Sequence, residues 1–480
     1  MPRDPFEAVD SEPPLKMTRR KSANGGAPSG RLVVEVGAPY DIARIFLTHQ
    51  FTTGGDRTLH HQRGEFFKWT GTAYSAVGHD FIRSALYEFL DICLTNGKKR
   101  PKPLKPTRTT VSNVADGLRA AAHLDGSIAA PAWLDHVPDI PAYEIVACTN
   151  GLLHLPTLDL IPHTPAFYTH NAVAFAYERD APEPHHWLAF LNQLWPNDPD
   201  SIETLQEIFG LSLTPDTSYQ KGFLVVGPKR SGKGTVARVL AQLVGVENTV
   251  APTLAGLGTN FGLAPLIGKR VAVISDARLG GKADQQAVAE RLLSVTGEDA
   301  ITIDRKFLPA WTGQLQTRFI ILSNELPRLA DTSGALASRF IVLMLTQSFY
   351  GREDRRLTAR LLTELPGILN WAIVGWRRLN EQGYFRQPAS AADAVRELED
   401  LGSPITAFIR DCCVVAPGRM VEVTRLFEVW CQWSKQQGRD YTGNIQLFGR
   451  DLRSALPNLK TSRPRDDDDR IRMYEGLGLR

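Results

Sequence analysis

Cysteine is scarce in this chain. There are five in 480 residues, at Cys93, Cys148, Cys412, Cys413 and Cys431, with no CxxC pair and no Cys/His zinc spacing. So sparse and odd a set excludes a disulfide scaffold and makes a reducing compartment the default. Long apolar runs are missing too: none approaches the roughly 18 residues of a spanning helix. The first thirty residues carry Asp4, Glu7, Asp10 and Glu12 and lack the apolar segment of a signal peptide. A soluble cytoplasmic protein with no membrane partner is therefore expected. A bulk excess of one charge sign is also absent. Lys plus Arg is 55 and Asp plus Glu is 52, a net +3. That balance excludes a protein that coats nucleic acid with its whole surface, so any DNA site must be a local concentration of Lys and Arg.

Hydrophobic residues are 43% and charged residues 22%, enough apolar material for globular cores. The length predicts about three domains. Residues 1–35 read as a disordered tail, rich in Pro, Gly, Ser and charge. Over 36–190 short helical and strand patterns mix. GEFFKWTGTAY (64–74) predicts a hairpin turning at Thr70-Gly71, and TNGLLHLPTLDLIPH (149–163) predicts another. Between them NGKKRPKPLKPTRTT (96–110) holds Lys98, Lys99, Arg100, Lys102, Lys105 and Arg108 with no acid. Its prolines predict an exposed basic loop, either a solvated linker or a DNA contact through Lys98, Lys99 and Arg100.

Over 191–385 the runs FLVV (223–226), VAVI (271–274), FIIL (319–322) and IVLML (341–345) alternate with helical stretches. Nearly all-apolar strands separated by helices predict an α/β fold with a parallel sheet buried on both faces. In the last region, 400–480, Val423, Leu426, Phe427, Trp430 and Trp433 recur at helical spacing, as do Phe448, Leu452 and Leu456. Two strand-like pieces follow, LKTSR (459–463) and RIRMYEG (470–476), so a winged helix is expected.

After FLVV comes Gly227-Pro228-Lys229-Arg230-Ser231-Gly232-Lys233-Gly234-Thr235, then the amphipathic VARVLAQLVG. Strand, glycine-rich loop and helix in that order are the context of a phosphate-binding loop. The glycines let backbone N–H groups curl around a phosphate, the helix adds the positive end of its dipole, and Lys233 adds a point charge. Gly234 stands where Ser or Thr normally holds Mg²⁺, which leaves Thr235 as the candidate ligand. VAVISDAR places Asp276 at a strand's C-terminal end, where ligands of parallel sheets bind. It is one acid where two are usual, and Glu290, Glu298 and Asp299 stand open as the second. FIILSN ends in Asn324, which either orients an attacking water or caps a turn. Arg339 is either a surface arginine or one that reaches a neighbouring subunit's γ-phosphate. ITID and QLQTRF (within 297–319) predict a hairpin carrying Arg305, Lys306, Phe307 and Trp311. Charge with aromatics suits gripping a strand, or the rings pack inward.

In this order the motifs resemble superfamily 3 helicases, and more narrowly the phage and plasmid P4-type, poxvirus D5-like helicase–primase family. The resemblance covers about residues 45–480. WLAFLNQLW (187–195) and LQEIFGLSLTPD (205–216) resemble the segment before the ATPase core, ACTNGLLHLPTLDLIPHTP (147–165) the D5 N-terminal domain, LPGILNWAIVGWRRL (365–379) the helical segment after the core, and 403–480 the winged-helix tail. It implies an AAA+-like P-loop NTPase core between an α+β D5-type domain and a winged helix. ATP and Mg²⁺ are the implied cofactors, and a homo-hexamer on single-stranded and forked DNA is the implied assembly, serving a separate primase or polymerase. By resemblance Lys233 and Thr235 fall on Walker A, Asp276 on Walker B with Thr235 as the metal pair, Asn324 on sensor 1, Arg339 on the arginine finger and Lys306 on the pore hairpin. An origin-recognition or loading ATPase and a nucleotide-kinase-like phosphotransferase remain as alternatives.

Overall fold

A computed structural model of the chain describes residues 31–480 apart from 98–99, 135–138, 276, 278–284, 328–334, 438–442, 464 and 467–468, with backbone alone at 465–466 and 469–470. The tail read over 1–35 thus falls almost wholly outside the described residues. Its end does not: Val33–Val34 pairs in parallel with Leu94–Thr95, and Val34 is buried.

The first unit is built on three helices, α1 (Pro39–Gln50), α2 (His79–Ile92) and α3 (Arg108–Ala121). Ile42 and Phe46, Leu86 and Phe89, and Val111 and Leu118 meet in one core because each helix repeats its apolar residues every three or four positions. Between α1 and α2 runs the meander β1 (Leu59–Gln62), β2 (Glu65–Trp69) and β3 (Tyr74–Val77). Its second turn is the expected one at Thr70-Gly71. The stretch 96–110 is less of a loop than its prolines suggest. Lys102–Pro103 pairs with Leu94–Thr95, and the Thr107 hydroxyl caps α3 by accepting from the Thr110 amide at 3.2 Å. Arg100, Lys102, Lys105 and Arg108 stay exposed, while Lys98 and Lys99 lie outside the described residues.

A second antiparallel sheet, β4 (Ile145–Cys148), β5 (Gly151–His154) and β6 (Asp159–Ile161), contains the other expected hairpin. Helices α4 (His185–Leu194) and α5 (Pro199–Ser212) follow. Then comes the parallel sheet of β7 (Gly222–Val226), β8 (Thr249–Val250), β9 (Val271–Ile274), β12 (Arg318–Ser323) and β13 (Phe340–Met344). Two hairpin strands, β10 (Ile301–Arg305) and β11 (Leu308–Gly313), interrupt its sequence. Its order is β8-β9-β12-β7-β13, so β7 is flanked by β12 and β13. Successive side chains of β7 face opposite sides. Phe223 and Val225 enter a core with α6 (Lys233–Val244) and α8 (Leu365–Gln382), and Leu224 and Val226 enter a second core with α7 (Gln285–Thr296). Burial on both faces explains why the strand runs are continuously apolar.

The first of these cores also takes Val146 and Leu153 from β4–β5, and Phe190 and Leu194 from α4. The division at 190/191 read from the sequence therefore falls inside a helix that packs on the sheet. α5 and α8 cross closely because both are glycine at the contact. A Cβ on Gly210 would lie 2.3 Å from the Ala372 carbonyl oxygen, and one on Gly375 2.4 Å from the Gln206 backbone. Arg378 then ties the pair, donating from Nε to the buried Glu207 carboxylate at 2.9 Å.

The last unit holds α9 (Pro404–Cys412), β14 (Cys413–Glu422), α10 (Val423–Gln436), α11 (Ile445–Ala455), β15 (Lys460–Ser462) and β16 (Met473–Leu479). Phe408, Trp430, Trp433 and Phe448 fill its core, with Trp430 and Trp433 stacked at 5.6 Å. The sheet is antiparallel in the order β14-β16-β15. β14 is an addition to the two strands expected from the sequence.

Candidate functional site

The loop after β7 leaves the C-terminal edge of the sheet, its first amide donating from Gly227 to the Ser323 carbonyl at 3.2 Å. It ends at Gly232, which is left-handed at φ +95°. A Cβ there would also lie 2.9 Å from Leu194 Cδ2 and 3.1 Å from Phe190 Cζ. Glycine is required twice over, for the backbone turn and for the approach of α4. α6 begins at Lys233, so the loop sits on a helix N-terminus.

Lys233 closes the loop on itself. Its Nζ donates to the Gly227 carbonyl at 2.6 Å, the Pro228 carbonyl at 2.8 Å, the Ser231 hydroxyl at 3.1 Å and Asn324 Oδ1 at 3.2 Å. All four acceptors are neutral. Burial holds the ammonium below the usual lysine range, because a desolvated cation without a carboxylate is under-compensated. An anion is what such a cation lacks. The residues therefore fit a nucleotide's phosphates: Gly227 to Gly232 would surround them and Lys233 would neutralise them. Thr235, the candidate Mg²⁺ ligand, has its Oγ1 accepting from Arg238 at 3.1 Å. Burial lowers the pKa of Arg238. Asp276 lies outside the described residues. Among the described residues no three His, Cys, Asp or Glu side chains cluster as a metal site.

The segment after β13 braces the loop from outside. Ser348 donates to the Lys229 carbonyl at 2.9 Å, the Phe349 amide to the Arg230 carbonyl at 2.9 Å, and Arg230 faces Glu353 at 3.5 Å. Nothing in the sequence pattern pointed to Ser348 or Glu353. The signal for Arg238 was available, one helical turn after Thr235.

Arg339 is not brought to this loop. It precedes β13, whose Phe340 is in register with Gly222, while Val226 pairs with Met344. Arg339 and the loop therefore occupy opposite edges of the sheet, separated by five strand residues or ~16 Å. Arg339 donates to Gln220 Oε1, and its carbonyl accepts from the Gly222 amide at 2.8 Å. Beside it, burial lowers the Lys221 ammonium, and Arg339 lowers it further. Glu298 belongs to the same edge, accepting from the Thr217 hydroxyl at 2.6 Å, while Glu290 accepts from Gln286 at 2.9 Å.

The β10–β11 hairpin forms as expected, turning through Lys306 and Phe307. Phe307 is left-handed at φ +63° and 93% exposed, and Lys306 Nζ stands 5.1 Å over its ring. Arg305 corrects the sequence reading. Its side chain is 8% exposed, donating to Glu65 Oε2 at 2.6 Å, to the Arg63 carbonyl at 2.9 Å and to the Pro309 carbonyl at 2.9 Å. Arg63 also lies over Trp311 at 5.2 Å. Arg305 and Trp311 thus dock the hairpin base on the β1–β2 turn, and the turn residues Lys306 and Phe307 are exposed.

Two domain families match the chain. A family of unknown function, DUF5906, matches residues 225–339, the span from the loop to Arg339. The D5 N-terminal-like family matches residues 43–196. Among solved structures, an apo A form of the NrS-1 C-terminal region is similar over 91% of this chain and 99% of that one, with 12% identity and a TM-score of 0.50, which marks a shared fold. A second apo A-form structure of that region has 13% identity, the same coverages and a TM-score of 0.48. The helices and meander that precede the parallel sheet thus match a D5 N-terminal-like domain, which ends in α4 beneath the loop.

Proposed function

We propose that the chain is an ATP-dependent DNA helicase of the superfamily 3 type, acting in replication of a phage, plasmid or integrated element. The carrying observation is Lys233, a half-buried cation with only neutral partners, joined through Asn324 to the neighbouring strand. In this reading Gly227 to Gly232 and Lys233 hold the triphosphate of ATP. Mg²⁺, held by Thr235 and Asp276, supplies charge neutralisation between the phosphates when bound. Asn324 Oδ1 then orients the attacking water. Arg339 faces away from its own loop, which suits a residue that completes the neighbouring subunit's site in a ring. Lys306 and Phe307 provide charge and a ring for one strand of DNA. The last unit serves as a winged helix, and a separate primase or polymerase would act beside the ring.

Imaging the full chain with ATP and forked DNA, together with a strand-separation assay, tests this. Six-membered rings that unwind the fork are expected. Monomers that phosphorylate a nucleoside monophosphate would establish the phosphotransferase alternative, and duplex binding that persists in Lys233→Ala without unwinding would establish the loading factor.

A further inference from the structure

The D5 N-terminal-like domain has a cleft of its own, remote in sequence from the phosphate loop. It encloses about 650 Å³ between α1, the 52–57 turn, the start of β1 and the segment after α3. That is the size of a small-ligand pocket, for which about 300–1,000 Å³ is usual. Its ionisable lining is all basic or imidazole: Arg44, Arg57, His60 and His123, with Tyr40 at the rim. Two carboxylates occur close by in sequence but have other partners. Asp56 accepts from Thr164 at 3.3 Å and Asp125 from the Ser127 amide at 2.7 Å. Among the described residues, two guanidinium groups thus line one concavity without a carboxylate in its wall.

The floor is packed: His60 is 6% exposed and its ring nitrogens are closed to solvent. The Arg57 carbonyl, its polar backbone neighbour, already accepts from the Tyr74 hydroxyl at 3.0 Å. The imidazole is held between Tyr74 and Tyr168, with ring centroids at 5.3 and 5.9 Å, so its orientation is set by packing. The wall is firm as well: α1 rests so close on α3 that a Cβ on Gly117 would lie 3.1 Å from Tyr40 Cα.

We infer that this cleft is a nucleotide-binding site separate from the phosphate loop, taking one phosphate-bearing nucleotide unit. Arg44 and Arg57 hold the phosphate, and Tyr40 stacks on the base. Guanidinium groups suit phosphate because their donors match its oxygens in pairs. A half-exposed tyrosine suits a base because every base offers a π face. The unit could come from a DNA strand or be a free nucleotide, since both present this chemistry. The inference does not depend on ATP hydrolysis at Lys233.

The test uses the full chain carrying Lys233→Ala, so that binding at the phosphate loop does not confuse the result. A fluorescein-labelled oligothymidylate is titrated by anisotropy at several salt concentrations, with and without millimolar dTMP. The same strand carrying 5-iododeoxyuridine is photo-crosslinked and the adduct mapped. Adding Arg44→Glu and Arg57→Glu should weaken binding at least about tenfold and lower the salt slope by about two. Arg44→Lys with Arg57→Lys should recover the slope, because charge is restored without the fork. Adducts should map to Tyr40. Loss of binding on adding dTMP would make the occupant a free nucleotide, and insensitivity to dTMP would make it a strand; both support the site. Unchanged affinity and slope in the glutamate variant, or adducts confined to 301–313, would overturn it. Because the helicase reading is tested by hydrolysis and unwinding in the unmodified chain, failure of one inference leaves the other standing.

Discussion

The Lys233 ammonium donates to Asn324 Oδ1 at 3.2 Å, which joins the loop after β7 to the end of β12. The two residues are 91 positions apart, and parallel pairing of Val226 with Ser323 brings them to one edge. The contact ties the charge that would meet the phosphates to the amide that would position water.

The first prediction follows from that contact. Lys233→Ala should abolish measurable ATP hydrolysis, because the ammonium on which the loop closes is lost. Asn324→Ala should leave nucleotide binding within a few-fold and lower kcat by about 10²-fold, the usual effect of removing one positioned polar group. Equal losses in binding and kcat for Asn324→Ala would mean that it only holds Lys233.

The second concerns Arg339, which stands at the sheet edge opposite the loop. If it serves a neighbour, Arg339→Ala and Lys233→Ala chains should each be inactive and recover activity when mixed. In random rings about one site in four has both intact groups, so about a quarter of the wild-type rate is expected. Mixtures that stay inactive would remove the arginine from the reaction.

The third separates the hairpin tip from its base. Lys306→Ala and Phe307→Ala should each remove most of the DNA-stimulated increment in hydrolysis and block unwinding. Glu65→Ala should instead lower stability by about 1–3 kcal/mol in denaturant melts, because it strips the buried Arg305 guanidinium of its carboxylate. If Arg305→Ala weakens strand binding as much as Lys306→Ala with no loss of stability, this division is wrong.

The fourth is a pH dependence. Burial pulls His60 down to about 4, helped by Arg57, and burial likewise pulls His170 down to about 4. Between pH 6.5 and 4 the unfolded chain binds protons at these rings that the folded chain refuses. Their contribution is thus fully present above pH 6.5 and is lost as pH falls towards 4, by up to about 3 kcal/mol each. Chemical denaturation at intervals from pH 7 to 4 should trace the loss. Replacing both with Gln should reduce the slope by about two protons, whatever the cost at pH 7.

Much was legible in the amino-acid order alone because it is local. FLVV followed by Gly227 to Thr235 and an amphipathic run could only be strand, loop and helix, since apolar continuity, glycine freedom and 3.6-residue periodicity act over a few residues. The hairpin at 301–313 and the helices rich in Trp430 and Phe448 were legible for the same reason. Placement of side chains across the molecule was not. Arg305 looks like a DNA ligand beside Lys306, yet Glu65, 240 residues away, buries it. Ser348 reaches the loop across 119 residues, and α4, expected at a domain boundary, lies under Gly232. β14 escaped notice because its partner β16 is the last strand of the chain. Sequence specified which segments could carry charge, turn or pack. Long-range packing decided that Arg305 is spent on a carboxylate within the fold while the Lys233 ammonium meets neutral acceptors.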